Sequence, residues 1–393
     1  MSHSERAGDP DGPARPRVRL LDGFRLLAAL MVVCWHYSGL THGNGQPSAD
    51  IRPLHPFAAY GWLGVELFFL ISGFVIAMSA VNRSVGEFAV SRFVRLFPAY
   101  WLGVLVTAVV LLIWPIAVHP PKLSDIGVNL TMLQEGFRVP SVDAVYWTLF
   151  AELRFYLLFA FVVWRGVTYA RAVGFSVIWL AASALTYSSH GLIHTLVMPD
   201  WAPFFVAGLA FFLMHRYGAN LLLWTIVVAT FLLGQRQALS SNNFHLMGQP
   251  MPAWPVVAIL AGFYLLVAAV ALGWLRANWR WLTVAGVLTY PLYLLHEYIG
   301  WTVFAEFRGR VDDGVLFLAV LAGMLGAAWL VHRFVEKPVA SWLRRRLATA
   351  SACGVVRLRP AATAARGTDI DALPALPRQR AGKVKARDAR STG

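Results

Sequence analysis

The chain has 393 residues, 58% of them hydrophobic and only 14% charged. A soluble domain carries about 25% charged residues, so this sequence is built for lipid rather than water. Its net charge of +14 is concentrated at the end, where twelve Lys/Arg against three Asp/Glu from Arg344 onward supply +9. No folded nucleic-acid module accompanies that charge, which reads as attraction to anionic lipid headgroups, and two cysteines, Cys34 and Cys353, make no disulfide framework.

Residues 1–18 are polar, with scattered Pro and Arg, and are expected to form a disordered cytoplasmic arm. Ten apolar stretches follow, near 19–39, 61–80, 97–117, 144–164, 172–188, 203–215, 220–234, 254–273, 287–305 and 315–336. At ~20 residues per crossing these make about ten transmembrane helices, although the sixth and seventh are short for a full crossing. Residues 341–393 form a basic tail without an apolar stripe, expected to be disordered. The predicted fold is therefore an all-α integral membrane protein, with a ten-helix domain over 19–340 between two disordered tails.

Loop charges orient it. With the N-terminus inside, the inner segments carry Arg15, Arg17 and Arg19, then Arg83, Arg92 and Arg95, then Arg165 and Arg171. His215 and Arg216, Arg276 and Arg280, and Arg344 to Arg346 complete the inner set, while Arg308 and Arg310 fall outside. That excess of inner arginine predicts both termini on the cytoplasmic side.

Ionisable side chains within a span are costly and usually face the bundle interior. In the first span, Arg25 and His36 are eleven residues apart, close to three whole turns, so both project from one face ~16 Å apart along the axis. Snorkelling to the two headgroup layers is the alternative reading. In the second span, Glu66 sits at the depth of His36. A carboxylate there can orient the imidazole for general-base work, or make a structural hydrogen bond and nothing more. Arg92 and Arg95 are i,i+3 at the inner mouth of the third span, a spacing suited to phosphate groups and equally to ordinary inside-facing arginines.

The fourth span opens with Thr148, Glu152 and Tyr156 on one stripe, with Arg154 on another face. In the ninth, Tyr293, His296 and Glu297 fall at mid-depth, below His36. Glu152, Tyr156, Tyr293 and His296 can together line a polar tunnel or acceptor site, or each can be a hydrogen-bonded core group. The histidines lack metal-ligand spacing, and there is no glycine-rich phosphate loop.

Taken in order, these segments resemble the acyltransferase family 3 membrane proteins, which include bacterial O-acetylases of surface polysaccharides and acylases of antibiotic sugars. The matching pieces are Leu21-Asp22-Gly23-Phe24-Arg25 with His36 eleven on, Gly64-Val65-Glu66-Leu67-Phe68-Phe69 with Ser72-Gly73-Phe74, and Arg92-x-x-Arg95-Leu96-x-Pro98-x-Tyr100-Trp101. Trp147-x-Leu149-x-x-Glu152-x-x-Phe155-Tyr156, Tyr290-Pro291-Leu292-Tyr293-Leu294-Leu295-His296 and Glu336-Lys337-Pro338 complete the set. Leu26 stands where the family pattern often has Gly, and Glu66 where it commonly has Asp.

The resemblance implies acyl transfer from acyl-CoA, as co-substrate with no resident cofactor, to a sugar hydroxyl on a cell-envelope glycan or a glycosylated natural product. It implies His36 as base with Glu66 orienting it, Arg25 on the donor path, and Arg92 and Arg95 at the mouth facing CoA. The implied site is a multi-pass plasma membrane with membrane lipid as partner. A transporter or flippase is the competing reading, although no internal repeat of the kind common in transporters is visible.

Overall fold

The computed structural model describes residues 18–39, 46–241, 245–246 and 249–343. The expected arm, apart from Val18, and the tail from residue 344 lie outside them. Ten long helices make up the described chain: α1 Arg19–Cys34, α2 Gly64–Ala80, α3 Val85–Ile113, α4 Trp147–Arg165, α5 Tyr169–Thr186, α6 Ala202–Tyr217, α7 Leu221–Ser240, α8 Ala253–Ala271, α9 Arg280–Phe307 and α10 Asp313–Val331. The only strands described are two residues each, His245–Leu246 and Gln249–Pro250, paired antiparallel between α7 and α8.

Nine helical segments among the described residues are long and apolar enough to cross a bilayer, and α9 is the long helix outside that set. The exception has a chemical cause. Tyr290, Tyr293, His296 and Glu297 dilute its hydrophobicity, and all but the half-buried Tyr290 lie in the bundle interior. Outward-facing apolar side chains such as Leu112, Phe161, Ile178 and Leu318 are exposed on the bundle surface, as a chain solvated by lipid requires.

Two features depart from the sequence expectation. The sixth crossing is broken: a short helix, Leu192–Val197, precedes α6, with Met198 in the left-handed region between them. Every residue of α6 from Ala202 to Met214 is buried, so this helix is apolar all round because protein surrounds it. The third crossing starts at Val85, well before 97, capped by Ser84 and Glu87 in a reciprocal capping box. Arg92 and Arg95 therefore belong to α3 itself and not to the preceding loop.

Small residues set the closest approaches. A Cβ on Gly73 of α2 would lie 2.1 Å from the Phe205 carbonyl oxygen, and one on Gly208 of α6 would lie 2.0 Å from that of Leu70. Only glycine lets these two backbones touch, the usual device for packing helices where lipid offers no hydrophobic drive. On its other side α2 meets α1 through Gly64, and α1 packs more extensively on α9 than on α2. That preference decides the geometry of the site.

Candidate active site

Past Cys34, α1 changes to a π-helical turn, Trp35–Gly39, of the kind that re-aims side chains at functional sites. The turn is tied to α9 at three points. Tyr37 Oη donates to the His296 carbonyl at 2.7 Å, Trp301 Nε1 donates to the His36 carbonyl at 3.0 Å, and His36 Nδ1 lies 2.9 Å from His296 Nε2.

Protons on these rings follow from the partners. His296 Nδ1 is 2.8 Å from the Tyr293 carbonyl oxygen, which can only accept, so Nδ1 carries the hydrogen. In a neutral imidazole the other nitrogen is then a bare acceptor. His296 Nε2 must accept from His36, which places the hydrogen of His36 on Nδ1 and leaves His36 Nε2 with a free lone pair. That nitrogen is 3.5 Å from Glu297 Oε1, so a proton arriving on it meets a carboxylate. Such an arrangement can serve as an oriented general base.

The carboxylate within ion-pair reach of His36 is thus Glu297 and not Glu66. Glu66 lines the same cavity, but its Oε2 is buried without a hydrogen-bond partner. The expected pairing assumed that consecutive spans supply the partners, whereas α1 lies mainly against α9. His296, expected below His36, stands beside it, because α9 continues to Phe307 and carries its polar segment past mid-depth.

Sequence reasoning did not single out Asp143. It caps the turn Ala144–Tyr146, accepts from the Val145 and Tyr298 amides at 3.3 and 3.2 Å, and shares a hydrogen bond with Glu297. Burial pushes its carboxyl up from the usual range, as for one of two carboxyls sharing a proton. An Asp directly before a helical run is a readable cap signal, though nothing local points it at α9.

His36 and Glu297 open on a cavity of about 220 Å³ that is also lined by Glu66 and Tyr293. A second cavity, of about 80 Å³, holds Arg25, Arg92 and Arg95 with one carboxylate, Glu152. Val65 and Tyr293 line both, so they form the partition between them. Tyr293 is held there by a hydrogen bond from Thr148 at 3.0 Å and by the edge of the Phe68 ring. Arg92 donates to Ser79 and lies near the Phe88 and Tyr156 rings, and Arg95 is exposed at the rim. Tyr156 donates to Glu152, while Arg154 turns away to the Phe150 and Thr195 carbonyls. The structure thus brings Arg25, Arg92, Arg95 and Glu152 into one cavity and His36 and Glu66 into the other, with Tyr293 between.

Comparison with known proteins agrees with the resemblance. The profile of the acyltransferase domain family matches residues 18–333. Acyltransferase MdmB of Streptomyces mycarofaciens is 27% identical over 86% of this chain and 96% of its own. Nodulation protein 10 of Rhizobium leguminosarum bv. viciae is 27% identical over 73% of this chain and 85% of its own. The peptidoglycan O-acetyltransferase OatA of Listeria monocytogenes is 26% identical over 37% of this chain and 24% of its own. No solved structure matches. The matched region takes in α1 to α10 and every cavity residue named above, and the chain belongs to the acyltransferase 3 family of multi-pass membrane acyltransferases.

Proposed function

We propose that the protein transfers an acyl group, acetyl by default, from acyl-CoA to a hydroxyl of a sugar-containing acceptor in the plasma membrane. The observation that carries this reading is the bare His36 Nε2, in a cavity that abuts, across Val65 and Tyr293, a cavity bearing three guanidinium groups. Guanidinium groups suit the phosphates of CoA. The excess of arginine in the inner loops supports a cytoplasmic position for that cavity, with both termini inside. The acceptor then meets His36 from the other side: a cell-envelope glycan, as the name of the Listeria relative suggests, or a glycosylated natural product.

His36 Nε2 takes the acceptor hydroxyl proton while the oxygen attacks the thioester carbonyl. Glu297 stabilises the imidazolium. The C–S bond breaks, the ester remains on the acceptor, and the sulfur leaves with the proton from His36 as the free thiol of CoA.

The test is thiol release by purified protein in lipid, over several acyl-CoA donors and a panel of sugars. Wild type is expected to turn over and His36→Ala to lose kcat, while Arg92→Ala/Arg95→Ala raises KM for acyl-CoA. Full turnover by His36→Ala would refute the base. A folded wild type that neither binds nor consumes any acyl-CoA would refute the donor and return transport to consideration.

A further inference from the structure

The two cavities differ sharply in charge. Three arginines face one, whereas the His36 cavity has Glu66, Asp200 and Glu297 in its lining and, among the described residues, no Lys or Arg. Two of those carboxylates have partners. Glu297 has His36 and Asp143, and Asp200 has the Gln237 amide and, at 3.9 Å, His194. Arg154 lies in the field of Asp200 from behind, bonded to carbonyls.

Glu66 has no such side-chain partner among the described residues. It is 8% exposed, it lines the cavity, and its Oε2, like that of Glu297, has no hydrogen-bond partner. A buried carboxylate oxygen without a donor is costly, and here the open side is the cavity. Four indoles, Trp35, Trp62, Trp147 and Trp201, share the lining. Indole faces attract ammonium groups and also cover the apolar faces of sugar rings. The Gln237 amide, whose N–H₂ bonds to Asp200, leaves its Oε1 as a further unpaired acceptor. Among the described residues, free acceptors therefore line this cavity beside the indole N–H groups, His36 Nε2 among them. This cavity asks for a ligand rich in N–H and O–H donors and free of negative charge.

We infer that the His36 cavity selects an amine-bearing sugar, with the protonated amine against Glu66 and the indoles and a neighbouring hydroxyl at His36. The inference names the acceptor class of the site and rests on the reading of His36 as the acyl-transfer base. It sets phosphosugars and uronic acids among the poor acceptors, because they would bring negative charge beside Glu66 and Glu297.

Binding tests it apart from turnover. Protein in phosphatidylglycerol nanodiscs, where no lipid supplies an ammonium, is titrated calorimetrically with methyl glucosaminide and methyl N-acetylglucosaminide near pH 6. Wild type is expected to bind the free amine about tenfold tighter. Glu66→Gln, which keeps the shape, should abolish that preference and leave N-acetyl binding in place, and His36→Ala should retain it while losing thiol release. Equal affinities in wild type would overturn the inference, as would equal weakening of both ligands by Glu66→Gln. So would displacement of the glucosaminide by phosphatidylethanolamine vesicles, which would assign the subsite to a lipid headgroup. An amine preference without thiol release would support the subsite and refute the transfer reading. Thiol release without amine preference would do the reverse.

Discussion

His296 itself lines neither cavity, yet its ring decides which nitrogen of His36 is free. Replacing it with alanine removes the acceptor of the His36 Nδ1 hydrogen in a place from which water is largely shut out: His296 is fully buried and the His36 side chain is 11% exposed. Leaving a buried donor unsatisfied costs about 1–3 kcal/mol. If that cost falls on the reactive orientation, each 1.36 kcal/mol is about a tenfold loss, so kcat should fall roughly 5- to 150-fold. Glutamine offers an oxygen to His36 and an N–H₂ to the Tyr293 carbonyl, so His296→Gln should recover part of the loss. The assay is steady-state thiol release with the acyl donor varied, beside thermal unfolding to confirm that both variants fold. A positioning role lowers kcat and leaves KM for the donor near its wild-type value. An alanine variant with unchanged kcat, or one losing only donor affinity, would refute the tautomer argument.

Further outcomes follow from the same geometry. A Cβ on Gly300 would sit 2.4 Å from Tyr37 Oη, so Gly300→Ala should displace the tyrosine that anchors the π-helical turn. Overpacking of this kind costs about 1–3 kcal/mol, seen as a lowered melting temperature together with reduced kcat. Tyr293→Ala should widen the partition and shift preference toward longer acyl-CoA donors, while Tyr293→Phe keeps the ring and the wild-type preference; identical chain-length profiles for all three proteins would rule out a selective partition. For Asp143 the sign is set by its raised pKa: the folded chain keeps a proton that the unfolded chain releases. Stability should therefore fall as pH rises from the usual carboxylate range toward neutrality. Asp143→Asn should flatten that slope in thermal unfolding, and an unchanged slope would remove Asp143 as its source.

How much of this was legible depended on distance along the chain. Crossings show as apolar runs, because lipid solvation acts on each helix separately, and the ten runs fall on the ten long helices described, nine of which lie in segments apolar enough to cross. The start of α3 was also written locally, as Ser84 and Glu87 at capping-box spacing, but the reading of Arg92 and Arg95 as loop charges hid it. Grouping Arg25 with Arg92 and Arg95 came from the family resemblance, with which their common inner depth agrees. What depth and order do not contain is which helix faces which. Glu66 and Glu297 are both carboxylates at usable depth, and only the packing of α1 on α9 chooses between them. The π-helical turn after Cys34 shifts the ring of His36 in a way that ideal helical periodicity does not describe. Asp143 was hidden for the same reason: its partners on α9 are 154 and 155 residues away.

The partition also bears on why this architecture serves an enzyme. A transport path must pass its cargo through alternately opened gates. Here the way from the arginines to His36 is obstructed by Tyr293, hydrogen-bonded to Thr148 on α4 and set against Phe68 on α2. Widening it for a whole hydrated molecule means separating α2, α4 and α9. Moving α2 in turn disturbs the glycine contacts that press it onto α6 and α1. A thin acyl chain asks for much less, no more than rotation of one ring and one valine. Phosphates would stay with the guanidinium groups, since carrying them past Val65 and Phe68 into a cavity lined by carboxylates would cost both desolvation and repulsion. The helix contacts and the charge division thus favour passage of an acyl group alone, and that is the event that replacing Tyr293 should make less selective.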